Sequence, residues 1–410
     1  MRHLKHILGG DVRQFGMLGA LIALILFFHV LTGGKTLTPG NAINIISGNS
    51  YVLVLAIGMV LVIIAGHIDL SVGSVAAAVG IVVAMSIQAG APWWLGILIG
   101  LAMGALIGAW QGLLVAYVGI PAFIVTLGGM LTFRGLNQYI GESNSVPVPP
   151  QLQFLGTGFL PEWGPGGTNM NNSTVLLGLL AIAAVVVGGL WTRNRNIAAQ
   201  VEVPPMWVEV VRMVILAAVI GFVTVLFGSG RPGTSFPVPG VILVALVLIY
   251  GFISNRTILG RHVYAVGGNK HAAALSGVKT RRVNFLVMMN MSLLAAVAAI
   301  IFIGRSTASG PFDGLNWELD AIAAVFIGGA AVSGGIGTVR GSIIGGLVMA
   351  VLNNGLQLMG VGADLTQMIK GVVLWLAVGF DVINKLQGKP SITGLLMRTF
   401  SKGQGNAAQA

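Results

Sequence analysis

Apolar runs of spanning length alternate along this chain with short clusters of Gly, Pro, Asn and charge. A helix needs about 17–25 mostly apolar residues to cross the hydrocarbon core of a bilayer. By that measure the pattern predicts twelve segments, roughly 15–31, 50–66, 72–90, 94–118, 121–140, 174–192, 211–228, 238–253, 284–304, 319–333, 341–360 and 366–384. Several are short or joined by tight glycine turns, so ten continuous helices plus broken ones fit nearly as well. The expected fold class is all-α: a polytopic integral membrane protein of about 10–12 transmembrane helices, several broken by Gly, forming one transmembrane domain over 1–410. One stretch breaks the pattern most sharply. "AGHIDLSVGS" (65–74) places a histidine and an aspartate two positions apart between two apolar runs.

Composition strengthens this picture. Of 410 residues 55% are hydrophobic and 8% charged, against roughly 25% charged in a soluble domain. The 61 glycines suit close approach of transmembrane helices. No cysteine is present, which excludes disulfides, thiolate metal sites and a cysteine nucleophile. The basic start, "MRHLKHILGGDVRQ", leads into an apolar run with no small-residue cleavage site, so it reads as an uncleaved first helix.

A net charge of +11 invites a nucleic-acid reading, but the placement of the charge argues for topology instead. Arg2, Lys5 and Arg13, then Arg193, Arg195 and Arg212, then Arg256, Arg261, Lys270, Lys279, Arg281 and Arg282, then Lys385, Lys389, Arg398 and Lys402 all fall on one side of the twelve-segment arrangement. Basic residues mark the cytoplasmic side. Both termini are therefore expected in the cytoplasm, with no nucleic acid as partner. The link 141–173 carries no Lys or Arg and is expected outside as an ordered surface loop, together with 228–240 and 304–319. An internal echo runs at an offset of 268: Gly66, Ile68, Gly73 and Ser74 match Gly334, Ile336, Gly341 and Ser342, and Ala56 matches Ala324. Glycine-interrupted hydrophobic segments in corresponding halves point to a transport path.

The motifs for chemistry are mostly negative. "GGKT" (33–36) fails as a phosphate loop because His29 stands where the pattern needs glycine. The six histidines form no H-E-x-x-H, no G-x-S-x-G occurs, and neither a catalytic nor a metal site is expected. Glu318 and Asp320 open a predicted helix, where acids complement the dipole, and Arg305 at the other end of the same loop is placed to pair with either. Arg134 falls well inside a span, where a charge faces a cavity or a partner or snorkels to the surface. Asp69 and Ser71 are placed to cap the helix beginning near Val72, with His67 near the interface. In the loop 254–283, "NKHAAALSGVKTRR" reads as a short helix with Gly277 as its stop, a shape that docks into a groove on a partner.

Five ordered stretches together resemble one family, the membrane subunits of bacterial ABC importers for ribose, xylose and related monosaccharides. They are "TLTPGNAINI" (36–45), "AIGMVLVIIAGHIDLSVGS" (56–74), "PAFIVTLGGMLTFRGL" (121–136), "GRHVYAVGGNKHAAALSGV" (260–278) and "ELDAIAAVFIGGAAVSGGIGTVRGSIIG" (318–345). The resemblance implies a homodimer of permeases, a cytoplasmic ATP-binding subunit with two fused ATPase domains, and a periplasmic sugar-binding protein. ATP and Mg would sit on the partner, with no cofactor in this chain. It also implies that Gly267, Gly268, Asn269, His271, Ala272, Ala273, Ser276 and Gly277 couple to the ATPase. Arg305, Glu318 and Asp320 would lie on the outer face, toward the binding protein. The family commonly has a Pro-Glu pair where this chain has Lys270 and His271, and often a glycine at the position of His67. Neutral polyols call for amide and hydroxyl partners, so Asn353, Asn354 and Gln357, the first and last four apart on one helix face, join Asp69, Ser71 and Arg134 as candidates along the path, with interhelical hydrogen bonding as the equal alternative for the three amides. Two rival readings remain: a stand-alone proton-coupled sugar transporter with Asp69 as carrier, and a membrane-embedded enzyme.

Overall fold

The computed structural model describes residues 12–163, 170–201, 203–231 and 233–386. Arg2, Lys5, Lys389, Arg398 and Lys402 of the basic flanks lie outside them. Fifteen α-helices account for nearly all regular structure among the described residues. They are α1 (Val12–Leu31), α2 (Pro39–Ile64), α3 (Val72–Gln88), α4 (Trp93–Leu113), α5 (Ala122–Ile140), α6 (Pro150–Thr157), α7 (Asn172–Ala198), α8 (Met206–Gly228), α9 (Val238–Arg256), α10 (Ile258–Gly268), α11 (Lys270–Leu275), α12 (Thr280–Ser306), α13 (Trp317–Ile327), α14 (Val339–Leu358) and α15 (Ala363–Leu386). A π-helical turn, Leu114–Val118, prolongs α4. Among the described residues seven helices are long and apolar enough to cross a membrane: α2, α4 with its extension, α7, α8, α9, α12 and α14. The chain is an all-α, multi-pass membrane protein, and each of the twelve predicted segments contains a helix.

The boundaries differ from expectation in three places. α2 begins at Pro39 rather than near 50, because Pro suits the first turn of a helix and the polar "GNAINIISGNS" does not stop one. The segment expected at 319–333 is only the eleven residues of α13, since "GGAAVSGGIGT" leaves the helix through left-handed glycines at 329, 334 and 335. The link 141–173 is not merely a surface loop. It carries a strand, β1 (Val146–Pro147), paired antiparallel with β2 (Ala308–Ser309), and the short helix α6, which packs on α12 and buries Leu152 completely.

α2, α3 and α12 form the core of the first 361 residues. α4 meets α12 through glycines at every fourth position: a Cβ on Gly104 would press on Ala296, on Gly108 on Met289, and on Gly112 on Phe285. That spacing lines one helix face with backbone and lets the two axes close up, the packing available where lipid supplies no hydrophobic drive between helices. By contrast α7 and α8 pair with each other, are largely exposed, and reach the rest through α8 against α2. α15 belongs to a second unit that begins at Gly362.

One end of the bundle carries α10, α11 and the start of α12, with their cluster of Lys and Arg; it is called the basic end below. α2 runs toward it and stops at Ile64.

Candidate functional site

Two interruptions in the helices, residues 65–71 and 328–338, meet at the basic end. Gly335 donates its backbone N–H to Ile64 O at 2.8 Å, and Gly66 lies against Gly334. The segment expected to contact a partner rests on both. Gly267, at the end of α10, leaves no room for a side chain: a Cβ there would collide with Ile64 O and with the Gly335 backbone. Tyr264, one turn earlier, donates its hydroxyl to Gly337 O at 2.7 Å. α10 therefore touches the end of α2 and the middle of the second interruption with the same turn. Beyond it, Asn269 caps α11 by accepting the Ala272 N–H at 2.9 Å, Gly277 takes a left-handed turn at φ 85°, and Ala273 packs inward. His271, Ala272 and Ser276 face outward. So does Leu275, 91% exposed, a position that sequence reasoning treated only as a helix former.

From Gly66 the chain does not simply turn at the basic end, as expected, but runs back into the bundle before α3 begins. Thr126, in the second turn of α5, donates to Ile68 O at 3.4 Å, and a Cβ on Gly129 would fall 3.4 Å from Ser71 Cβ. At 1.5 Å per residue this sets Ser71 roughly 10 Å inside the end of α5. The expected capping by Asp69 and Ser71 is corrected accordingly. Asp69 Oδ1 accepts from the Ser71 N–H at 2.8 Å and from the Ser71 hydroxyl at 2.7 Å, so it closes the turn before the helix, and Ser71 gives α3 no side-chain cap. Gln111 Nε2 donates to Ser71 Oγ at 2.9 Å, tying the turn to α4. Asp69, Ser71 and Gln111 are each fully buried.

α13 begins beside this turn. Gly73, in the first turn of α3, and Gly314 lie backbone to backbone, and a Cβ on Gly73 would also fall 2.6 Å from Glu318 Oε2. Glu318 was expected on the outer face beside Arg305; it is 4% exposed and pairs with Arg134 at 3.8 Å. The first turn of α13 starts inside the bundle, because the loop after β2 folds inward and Trp317 packs its ring on Tyr51, halfway along α2, at 4.3 Å. A carboxylate is thus held at the N-terminal end of α3, where the helix dipole favours negative charge, and an arginine balances it. Asp69 Oδ2 and Glu318 Oε2 are buried without hydrogen-bond partners. Arg305 is half-buried next to Gly48, and Asp320 is half-buried one turn into α13.

The remaining candidates scatter. Asn41 and Asn354 exchange amide hydrogen bonds at 2.8 Å in both directions, so of the three candidate amides Asn354 makes an interhelical bond. Asn353 keeps a buried Oδ1 without a partner, and Gln357 is exposed. His67 is half-buried at the basic end beside Asn284. Burial pushes its imidazole below the usual histidine range, the Asn284 amide pulls the other way, and Lys270 adds to the lowering. Among the described residues no group of three His, Asp or Glu is placed to hold a metal ion. Gln111, Thr126, Tyr264 and Leu275 were missed by sequence reasoning. A lone glutamine inside the apolar run of α4 was a visible signal; the other three carry none.

Comparison with known proteins fits this architecture. Residues 41–154 and 210–378 match the family described as the permease component of the branched-chain amino acid transport system. The xylose transport system permease protein XylH of Haemophilus influenzae is 37% identical over 379 residues, covering 92% of this chain and 97% of its own. XylH of Escherichia coli K12 is 37% identical over 380 residues, covering 92% and 93%. The ribose import permease protein RbsC of the same strain is 33% identical over 373 residues, covering 90% and 94%. No solved structure matches. With the match running through both helix interruptions and the segment that rests on them, this chain belongs to the family of membrane-spanning permease components of bacterial transport systems.

Proposed function

We propose that this chain is the membrane subunit of an ATP-driven importer that moves a monosaccharide, xylose or ribose or a galactose-like sugar, across the bacterial inner membrane by alternating access. Both termini face the cytoplasm. Two copies form the channel, a cytoplasmic subunit with two fused ATPase domains supplies ATP hydrolysis, and a periplasmic binding protein delivers the sugar. Xylose is favoured by the greater identity to the xylose permeases.

The observation that carries this reading is the seat of Gly267. A partner that moves α11 moves α10, and α10 bears directly on Ile64 O and Gly335. Both interruptions therefore receive one displacement. The first leads through Asp69 and Ser71 to the inner end of α3, and the second leads to α13 and α14. Interfaces packed this tightly have discrete arrangements rather than continuous ones, so a shift at the basic end is converted into a change at the Gly73–Gly314 junction. Ser71, Gln111 and Arg134 there supply hydroxyl, amide and guanidinium groups of the kind a neutral polyol can use.

Reconstitution with the ATPase and binding-protein partners tests the reading. ATP-dependent uptake of labelled xylose that survives a protonophore is the expected result. Uptake by the chain alone, abolished by the protonophore, would establish the proton-coupled reading instead; the partnerless Asp69 Oδ2 is the observation in its favour.

A further inference from the structure

Residues 310–316, between β2 and α13, form a run of turns rather than a helix, and they lie at mid-depth in the bundle. Asn137 on α5 donates its amide to Gly310 O at 3.1 Å and to Pro311 O at 3.2 Å, while Gly314 lies on Gly73. α5 starts at the basic end, near Lys270 and Arg281. At 1.5 Å per residue Arg134 stands about 18 Å along it and Asn137 about 22 Å, within a hydrocarbon core of about 30 Å. Irregular backbone is tolerated at that depth only where protein buries it or water reaches it. Here protein does not bury it: Phe312 is 70% exposed, and Leu315, Asn316 and Leu319 are exposed beside it. Arg134, next to this segment through Glu318, is partly exposed as well, and a charge inside a membrane faces a cavity or a partner. Lipid therefore does not cover this strip.

The strip is held in place. Asp313 Oδ2 accepts the Gly310 N–H at 2.8 Å, closing the turn that presents Phe312, and Asn137 pins the same turn to α5. Asn316 takes the left-handed conformation at φ 65°, and its amide does not cap α13. The Arg134–Glu318 pair, at 3.8 Å, is too long for a hydrogen bond, so the five N–H donors of the guanidinium are left for another partner. An exposed ring, a free amide and a guanidinium side by side suit a ligand with a C–H face and a rim of hydroxyls. We propose that this strip is a monosaccharide subsite within the transport path. The C–H face of the sugar stacks on Phe312, with Leu315 and Leu319 beside it, and the hydroxyls bond to Asn316 and Arg134. A mostly apolar wall with a few placed polar groups is the usual composition of a small-molecule site. Because Gly314 sits on Gly73, a shift at that junction also moves the platform that holds the sugar. The subsite rests on the importer reading above and adds where the sugar is held.

The chain has no cysteine, so single replacements report access directly. With the full chain in nanodiscs, Leu315→Cys is expected to react with a charged, water-soluble methanethiosulfonate at least tenfold faster than Leu106→Cys, an exposed position within the span of α4. Xylose should slow the Leu315→Cys reaction at least fivefold, and sucrose at equal concentration should not. Adding Phe312→Ala should remove that protection, whereas Phe312→Trp should keep it. An unreactive Leu315→Cys puts lipid or a second copy on the strip and overturns the proposal. Reaction that xylose leaves unchanged overturns it too, as does equal protection with and without the Phe312 ring. The uptake assay above tests the importer reading separately. Xylose protection without ATP-dependent uptake would keep the subsite and remove the ATP-driven reading; uptake without protection would do the reverse.

Discussion

The two helix interruptions are alike in geometry and opposite in chemistry. At the offset of 268, Ser74 donates its hydroxyl to Ser71 O and Ser342 donates to Val339 O, each at 2.8 Å, so the same serine turn opens α3 and α14. Between the helices, however, 65–71 carries His67 and Asp69, whereas 328–338, "GGAAVSGGIGT", holds glycine, small or apolar residues, one serine and one threonine, with no ionisable group. The first interruption is held by side chains: Asp69 to Ser71, and Ser71 to Gln111. The second is held by backbone, through Gly335 N–H on Ile64 O and Tyr264 on Gly337 O. A side-chain lock survives an isosteric change that keeps its acceptors. A backbone lock tolerates no added atom.

Gly267→Val should therefore have the largest effect, because a side chain there meets Ile64 O and Gly335 at once. ATP-dependent uptake is expected to fall below a tenth of wild type while membrane insertion persists. Normal uptake in this variant would break the link between α10 and the two interruptions. Gly268→Ala, one residue on, places its Cβ where nothing lies within 4 Å and should retain most uptake if the segment works through the packing of Gly267 rather than through backbone flexibility.

The Arg134–Glu318 pair comes next, and its two halves are unequal. Glu318 is almost wholly buried, whereas Arg134 keeps 32% of its side-chain surface. Arg134→Gln strands a buried carboxylate; Glu318→Gln strands a guanidinium that can reach water. The first should cost on the order of 2 kcal/mol and the second less, below the range of fully buried pairs because Arg134 is partly screened. The double variant should recover most of the loss. Thermal unfolding in detergent measures all three, and equal losses without recovery would show that the 3.8 Å pair does not couple them.

How much of this was legible beforehand follows the same division. The helices could be read because spanning length is a property of one segment at a time. The glycine-broken stretches were visible for the same reason, as was α11 with its Gly277 stop, though not its Asn269 cap. What could not be read is which segments meet. Glu318 looks like a surface helix-capping acid because the sequence does not show that 310–316 folds inward and carries Trp317 to Tyr51. Asp69 looks like a cap because the residues that fix its true role, Gln111 on α4 and Gly129 on α5, lie more than forty positions away. The echo at 268 was the one long-range signal, and it points at two stretches that lie side by side.

Asp69 gives the smallest expected effect and the sharpest division between mechanisms. Its Oδ1 accepts two hydrogen bonds from Ser71, and Asn in its place presents the same acceptor while filling the partnerless Oδ2 position with an N–H₂ group. If Asp69 only closes the turn before α3, Asp69→Asn should keep uptake within about threefold of wild type. Asp69→Ala, which leaves the buried Ser71 N–H without its acceptor, should destabilise by about 1–3 kcal/mol. A proton carrier behaves in the opposite way, since an amide cannot take up and release the proton and Asp69→Asn would abolish transport as completely as Ala. Uptake measured for both variants at saturating ATP decides between them: a dead Asp69→Asn with normal membrane insertion would move the energy source from the partner ATPase to this buried carboxylate, and with it the role of the first interruption from a lock to a carrier.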